Sequence, residues 1–215
     1  RRGVSFSATD CMNENSVADL GFDFNYIFHL AAIIGVRHVQ NRPANVVTDN
    51  LRMLENMLAH ARNQKEMIRF FFASTSEVYA GPLENFELPV PTPESAPLAL
   101  TDLTRPRTSY LLSKISGEAL CHYSDLPVTI FRPHNVYGPR MGVSHVIPEQ
   151  LRKAEKGPSG SLLPVPSAAQ TRTFCYVEDA VEMLIRMMES PSCEGRTLNL
   201  GVQTPEVMMS DLAEK

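Results

Sequence analysis

The chain has 215 residues, 43% hydrophobic and 20% charged, with 11 Gly, 16 Pro and no Trp, a globular composition with length enough for one substantial core. Its 20 Lys and Arg against 24 Asp and Glu leave a net charge of -4, so no basic field gathers a polyanion and nucleic acid is not an expected partner. The longest nearly unbroken apolar stretch, Ile27 to Val36, contains His29 and Gly35 and is far below the roughly 18 residues a membrane-spanning helix needs. Cys11, Cys121, Cys175 and Cys193 show no C-x-x-C pairing, and the expectation is buried free thiols in a reducing, cytoplasmic setting. The opening Arg1-Arg2-Gly3-Val4 has neither Met nor a signal segment and reads as the interior of a longer chain.

In chain order, Phe24 to Leu30 is a short aromatic and β-branched run that reads as a buried strand, ending in Ala31-Ala32. After Pro43, Val47, Leu51, Leu54, Leu58 and Ala61 recur at spacings of three and four, predicting a helix over 43–63. Ile68 to Ala73 predicts a strand that stops at Ser74-Thr75-Ser76. From Gly81 to Arg107 six prolines predict a long loop. A second helical spacing runs from Tyr110 to His122, and Val128 to Arg132 predicts a further strand. Helices are predicted over 146–156 and 177–188, a strand over 197–200, and a capped helix start at Ser210-Asp211. Strands alternating with helices predict an α/β fold around a parallel sheet.

Tyr110 and Lys114 are four apart on a predicted helix and so share a face. A neighbouring ammonium favours phenolate and would lower the tyrosine pKa from about 10 toward the operating pH, making it a proton acceptor for a hydroxyl. The bland alternative is a surface tyrosine lying on a lysine stem. Ser74-Thr75-Ser76-Glu77 adds hydroxyls and a carboxylate at a strand end, and the turn-rich 132–140 segment follows the next strand. Open α/β sheets present their ligands at such carboxyl ends. Thr75 could equally be a turn hydroxyl bonded to local backbone. His29, His38, His60, His122, His134 and His145 show no metal-ligand spacing, so no metal is expected.

Five strings occur in order: H-L-A-A at 29–32, S-T-S-E-V-Y at 74–79, S-Y-L-L-S-K at 109–114, R-P-H-N-V-Y-G-P-R at 132–140 and Q-T-R-T-F-C-Y-V-E-D at 170–179. In this arrangement the chain resembles the extended short-chain dehydrogenase/reductases that act on nucleotide sugars. The resemblance implies a Rossmann-like, doubly wound parallel sheet with part of a small C-terminal substrate-binding lobe. It makes residues 1–140 an NAD-binding domain and residues 141–215 a mixed region holding that partial lobe. By the same resemblance Tyr110 is the catalytic base, Lys114 lowers its pKa and holds the nicotinamide ribose, and Thr75 orients the sugar 4-OH. Leu30, Ala31, Ala32 and Ser74 line the NAD groove, Asp10 approaches the adenine end, and Pro133 packs near the nicotinamide. Ser76 belongs with the substrate, and Asn135 and Arg172 would hold its diphosphate. A homodimer built from the helix over 43–63 and the Tyr110 helix is also implied.

Departures from the family pattern are specific. The family opens with a β-α unit and a G-x-x-G-x-x-G turn that holds the cofactor pyrophosphate. Residues 1–21 contain nothing like it, and the segment before Gln170, which in relatives is usually a Gly-rich turn, here reads P-V-P-S-A-A. The implied first step is oxidation of the sugar at C4 to a ketone. Epimerisation through that ketone is the first expectation. A 4,6-dehydratase or uronate decarboxylase using Glu77 is the alternative, and a non-catalytic binding module of the same fold is a third.

Overall fold

The computed structural model describes residues 3–100, 102–143, 145–158, 165 and 168–214. The chain divides into two compact units, Arg1–Arg132 with Ser190–Leu198 and Pro133–Glu189 with Asn199–Lys215. The division falls near the end of a strand, before Pro133, and Ser190–Leu198 belongs to the first unit.

The elements follow the predicted alternation with additions. A short helix α1 (Glu14–Ala18) starts where Asn13 Oδ1 accepts the Asn15 and Ser16 N–H groups at 3.0 and 3.2 Å, a side-chain cap that no hydrophobic period announces. Strand β1 (Tyr26–His29) is followed by α2 (Val36–Asn41) and the long α3 (Pro43–Arg62). Strand β2 (Arg69–Ala73) runs into a 3-10 turn at Ser76–Tyr79 and then α4 (Ala80–Asn85). The helix α4 corrects the expectation of an unbroken loop from Gly81. Pro82 lies in its first turn, where the missing N–H has no intrahelical partner to lose. Helix α5 (Thr108–His122) and strand β3 (Val128–Pro133) come next.

In the remainder, β4 (Val136–Tyr137), α6 (Val146–Lys156), β5 (Thr171–Arg172), β6 (Cys175–Tyr176) and α7 (Val177–Glu189) precede β7 (Thr197–Leu200), β8 (Val207–Met208) and α8 (Met209–Glu214). The two-residue strands were not legible by period: β4 pairs parallel with β6 and β5 antiparallel with β8. Much of the unusual segment before Gln170, including Pro164, Pro166 and Ser167, lies outside the described residues.

The main sheet has the order β1-β2-β3-β7, with β1 at one margin. β1 pairs with β2 in parallel from Tyr26↔Arg69 to His29↔Phe72, and β2 pairs with β3 in parallel from Phe70↔Val128 to Ala73↔Phe131. Parallel strands need both faces covered, and this explains the unalternating R-F-F-F-A of β2. Phe70, Phe71 and Phe72 are all buried. Phe70 and Phe72 join Ile27, Val128 and Ile130 with Leu54, Met57, Leu58 and Ala61 of α3 and Cys121 of α5 in one cluster. Phe71, on the opposite face, stacks on Phe28 with centroids 4.3 Å apart.

Gly117 lets α5 settle onto this cluster: a Cβ there would lie 2.5 Å from Phe72 Cζ and 3.2 Å from Leu54 Cδ2. Gly117→Ala gains about 1 kcal/mol of helix propensity but forces overpacking that costs about 1–3 kcal/mol. A net loss of up to about 2 kcal/mol is expected in denaturant unfolding; a stabilised variant would show that the sheet and α5 are not in such close contact.

Candidate active site

The parallel register brings the carboxyl ends of β1 and β2 to one edge, where Leu30 to Ala32 follow β1 and Ser74 to Glu77 follow β2; among the described residues no contact brings Asp10 there. Tyr110 and Lys114, one turn apart on α5, are both buried, at 9% and 4% exposure. A surface tyrosine on a lysine stem is therefore not what the chain builds. Lys114 Nζ donates to the Ala73 carbonyl at the end of β2 at 2.7 Å. It also lies 5.0 Å from the Phe72 ring centroid and 5.7 Å from that of Tyr110, within cation–π range. Tyr110 packs with Val39 and Val46 and against Ala32 and Ile33. A cavity of about 320 Å³ opens beside this group, lined by Ala32, Ile33 and Val46 together with His38, Arg42 and Asp49.

The electrostatics differ from the sequence expectation. Burial, with the Glu77 carboxylate adding to it, raises the Tyr110 phenol to about 12. Burial likewise lowers Lys114 to about 8, opposed by Cys121 and Glu118. Burial sets the direction of the shift, because desolvation disfavours the charged phenolate.

At the end of β2, the Thr75 backbone is extended and its Oγ1 accepts the Glu77 N–H at 3.3 Å, capping the 3-10 turn. Thr75, Ser76 and Glu77 are half-buried. Glu77 pairs with Arg107 Nη2 at 3.4 Å, just before α5. Ser74 is buried, and its hydroxyl donates to Glu118, so it is engaged in a network that sequence reading missed. Glu118 takes Arg132 Nε at 2.9 Å and Nη2 at 2.6 Å, a bidentate pair 4–5% exposed. Arg132 Nη1 donates to Tyr79 Oη at 2.6 Å and to the Glu94 carbonyl at 3.1 Å. The signal was present as a glutamate four residues after Lys114 and an arginine ending a strand, but nothing in a linear period joins them.

Leu30 and Ala31 are exposed and Ala32 is half-buried at the carboxyl end of β1. Asp10 is exposed, and its Oδ1 accepts the Met12 N–H at 3.0 Å. The second unit holds the other three residues. Pro133 ends β3. Asn135 takes a left-handed φ of 40° and donates to the Thr173 carbonyl at 3.0 Å. Arg172 is exposed and donates to the Thr171 carbonyl and to Gln170 Oε1, each at 2.8 Å. His134 Nε2 lies 3.3 Å from Asn199 Oδ1 of β7. Among the described residues no His, Cys, Asp and Glu group could hold a metal ion, and no helix is long and apolar enough to cross a membrane.

For a dinucleotide, the residues fit one half of the group. Small residues Ala31 and Ala32 leave room at the end of β1, an ammonium held by the end of β2 shares a face of α5 with a phenol, and a threonine hydroxyl follows β2. That donor set suits a ribose with its attached ring. The 215 residues contain no G-x-x-G-x-x-G turn for a pyrophosphate.

His29 gives this site a measurable acid response. It stacks near Phe70 and Phe72, with centroids 6.3 and 6.1 Å away, and burial with the Lys114 charge lowers its pKa to about 4 from 6.5. Between those values the unfolded chain binds a proton that the folded one refuses, so stability falls as pH drops through 6.5 and the loss is complete near pH 4. His29→Phe keeps a ring and removes the titration. From pH 7 to 4 the wild type should lose about 3 kcal/mol more than the variant in denaturant unfolding; equal losses would refute the neutral, buried imidazole.

Residues 1–201 match the model of the NAD dependent epimerase/dehydratase family. The chain is 34% identical over 196 residues to a UDP-N-acetyl-alpha-D-glucosaminuronate decarboxylase of Bacillus cytotoxicus, covering 88% of this chain and 58% of that protein. It spans about half the length of the curated relatives it matches. Among solved structures it superposes on RMD from Pseudomonas aeruginosa with a TM-score of 0.82 at 23% identity, covering 97% of this chain and 69% of that one. On a UDP-glucuronic acid 4-epimerase from Bacillus cereus the TM-score is 0.77 at 24% identity, with 94% and 61% covered. With a family model matched over nearly its whole length and the same parallel α/β architecture, the chain belongs to the NAD dependent epimerase/dehydratase family.

Proposed function

We propose that the protein is an NAD-dependent nucleotide-sugar epimerase that works through a 4-keto sugar. The observation that carries this reading is the buried Tyr110–Lys114 pair on α5, with Lys114 held by the end of β2, where Thr75 stands. The hydride acceptor and donor for C4 would be NAD+, held by the residues named below. Tyr110 Oη receives the proton of the sugar 4-OH and gives it back. Lys114, fixed by the Ala73 carbonyl, holds a positive charge within reach of the phenol and offers its remaining N–H groups to a ribose. Thr75 donates to the 4-oxygen and aligns it. Leu30, Ala31, Ala32 and Pro133 would line the cofactor's site, with Asp10 at its adenine end. Ser76, Asn135 and Arg172 take the nucleotide sugar, the last two at its diphosphate, which guanidinium geometry suits.

A second reading is decarboxylation of a nucleotide uronic acid through the same ketone, and a specific feature favours it. Glu77 is half-buried just after β2 and its charge helps raise the Tyr110 phenol, so a carboxylate of this edge is available to handle a proton at C5. The Bacillus cytotoxicus relative is a decarboxylase of an N-acetylglucosaminuronate. Two further parts of the proposal are a homodimer through α3 and α5, which lie side by side, and a cytoplasmic setting, supported by four free thiols.

The test supplies NAD+ with UDP-glucuronic acid or UDP-glucose and follows products by NMR. An inverted C4 with its carboxylate intact supports the epimerase; loss of CO2 supports the second reading; neither product, with no NAD+ bound, sinks both. Tyr110→Phe should lower turnover about a hundred- to ten-thousandfold with the fold intact. Under the epimerase reading Glu77→Gln should leave most C4 inversion in place; under the second reading it should stop uptake of the solvent proton at C5.

A further inference from the structure

Asn50 projects from α3 toward the loop that follows β1, with 7% of its surface exposed. Its carboxamide is used at both ends. Oδ1 accepts the Ile33 N–H at 2.6 Å, and Nδ2 donates to the Ile33 carbonyl at 3.2 Å and to Ser113 Oγ at 3.1 Å. Ser113 Oγ in turn donates to the Tyr110 carbonyl at 2.7 Å. Ile33 lies in no helix or strand, so both of its backbone groups need a partner from elsewhere. One asparagine provides both and connects them to the turn of α5 that carries Tyr110.

The geometry points to Asn50 as a positioning residue. We infer that it holds the 30–35 loop against α5, and thereby fixes the apolar wall of Ala32 and Ile33 on which the Tyr110 ring rests. Leucine at this position would satisfy neither Ile33 group. Serine could meet only one of them, and glutamine would push the loop outward by a methylene. Aspartate would set a carboxylate oxygen against the Ile33 carbonyl. The catalytic consequence rests on the reading of Tyr110 as the base; the clamp itself does not.

The test separates the two. NMR on the chain without cofactor reads Ile33 amide exchange and the Tyr110 ring signals, the latter assigned by their loss in Tyr110→Phe. In Asn50→Ala, Ile33 should exchange at least about tenfold faster while Leu54 and Leu58 on α3 keep their rates, and the Tyr110 ring signals should shift. Ser113→Ala removes one hydroxyl and retains both Ile33 bonds, so the ring should shift while Ile33 stays protected; this variant also serves if Asn50→Ala fails to fold. In turnover, kcat should fall about tenfold in Asn50→Ala with KM for the nucleotide sugar nearly unchanged. Unchanged Ile33 exchange overturns the clamp. Faster exchange with an unmoved ring, or a change in KM alone, overturns the positioning role. A wild type that turns over no nucleotide sugar refutes the functional reading, and the exchange and ring signals still decide the clamp.

Discussion

The site depends on a charge that has nowhere else to go. Arg132 lies near the end of β3, buried inside the protein, and without a partner its guanidinium would be a buried cation costing several kcal/mol. Glu118 meets it with two hydrogen bonds, and Ser74, Tyr79 and the Glu94 carbonyl take up most of the remaining polar capacity. The Arg132 guanidinium also lies over the Tyr79 ring, 4.9 Å from its centroid. These contacts come from β3, α5, the residue after β2, the 3-10 turn and the proline-rich loop. A geometry that satisfies all of them leaves little freedom for the end of β2 or for the face of α5 that carries Lys114 and Tyr110.

From that constraint the chemistry follows in short steps. With α5 fixed, Lys114 reaches the Ala73 carbonyl, and Tyr110, a turn earlier, is pressed between the loop after β1 and the start of α3. The interior position that orders the pair also works against its ionised form. A phenol near 12 and an ammonium near 8 describe a pair held neutral on one side and weakened on the other by desolvation. A ligand that brings polar or charged groups to this edge is what would move them toward a working proton relay.

The frame was legible in the sequence where burial imposes a period. The F-F-F run of β2 read as a strand because parallel strands are covered on both faces, and α3 read as a helix from Leu51, Leu54, Leu58 and Ala61. Tyr110, Lys114 and Thr75 were legible from spacing and from ordered family strings. What escaped has a different physical origin. α1, α2 and α4 are too short to show a period and are set by a cap, a loop and a proline in a first turn. The Arg132–Glu118 pair and the Asn50 bridge to Ser113 join residues 14 and 63 positions apart, and such contacts are written in three dimensions only. The direction of the Tyr110 shift was also out of reach, because burial, not the neighbour four residues on, decides it.

The most direct check of the account is a double-mutant cycle on the buried pair, read by denaturant unfolding of wild type, Arg132→Met, Glu118→Leu and the double variant. Each single change strands one charge and should cost about 3–5 kcal/mol, while the double variant should lose far less than their sum. Losses that simply add would contradict the claim that this pair holds the strand ends and the helix of Tyr110 in register.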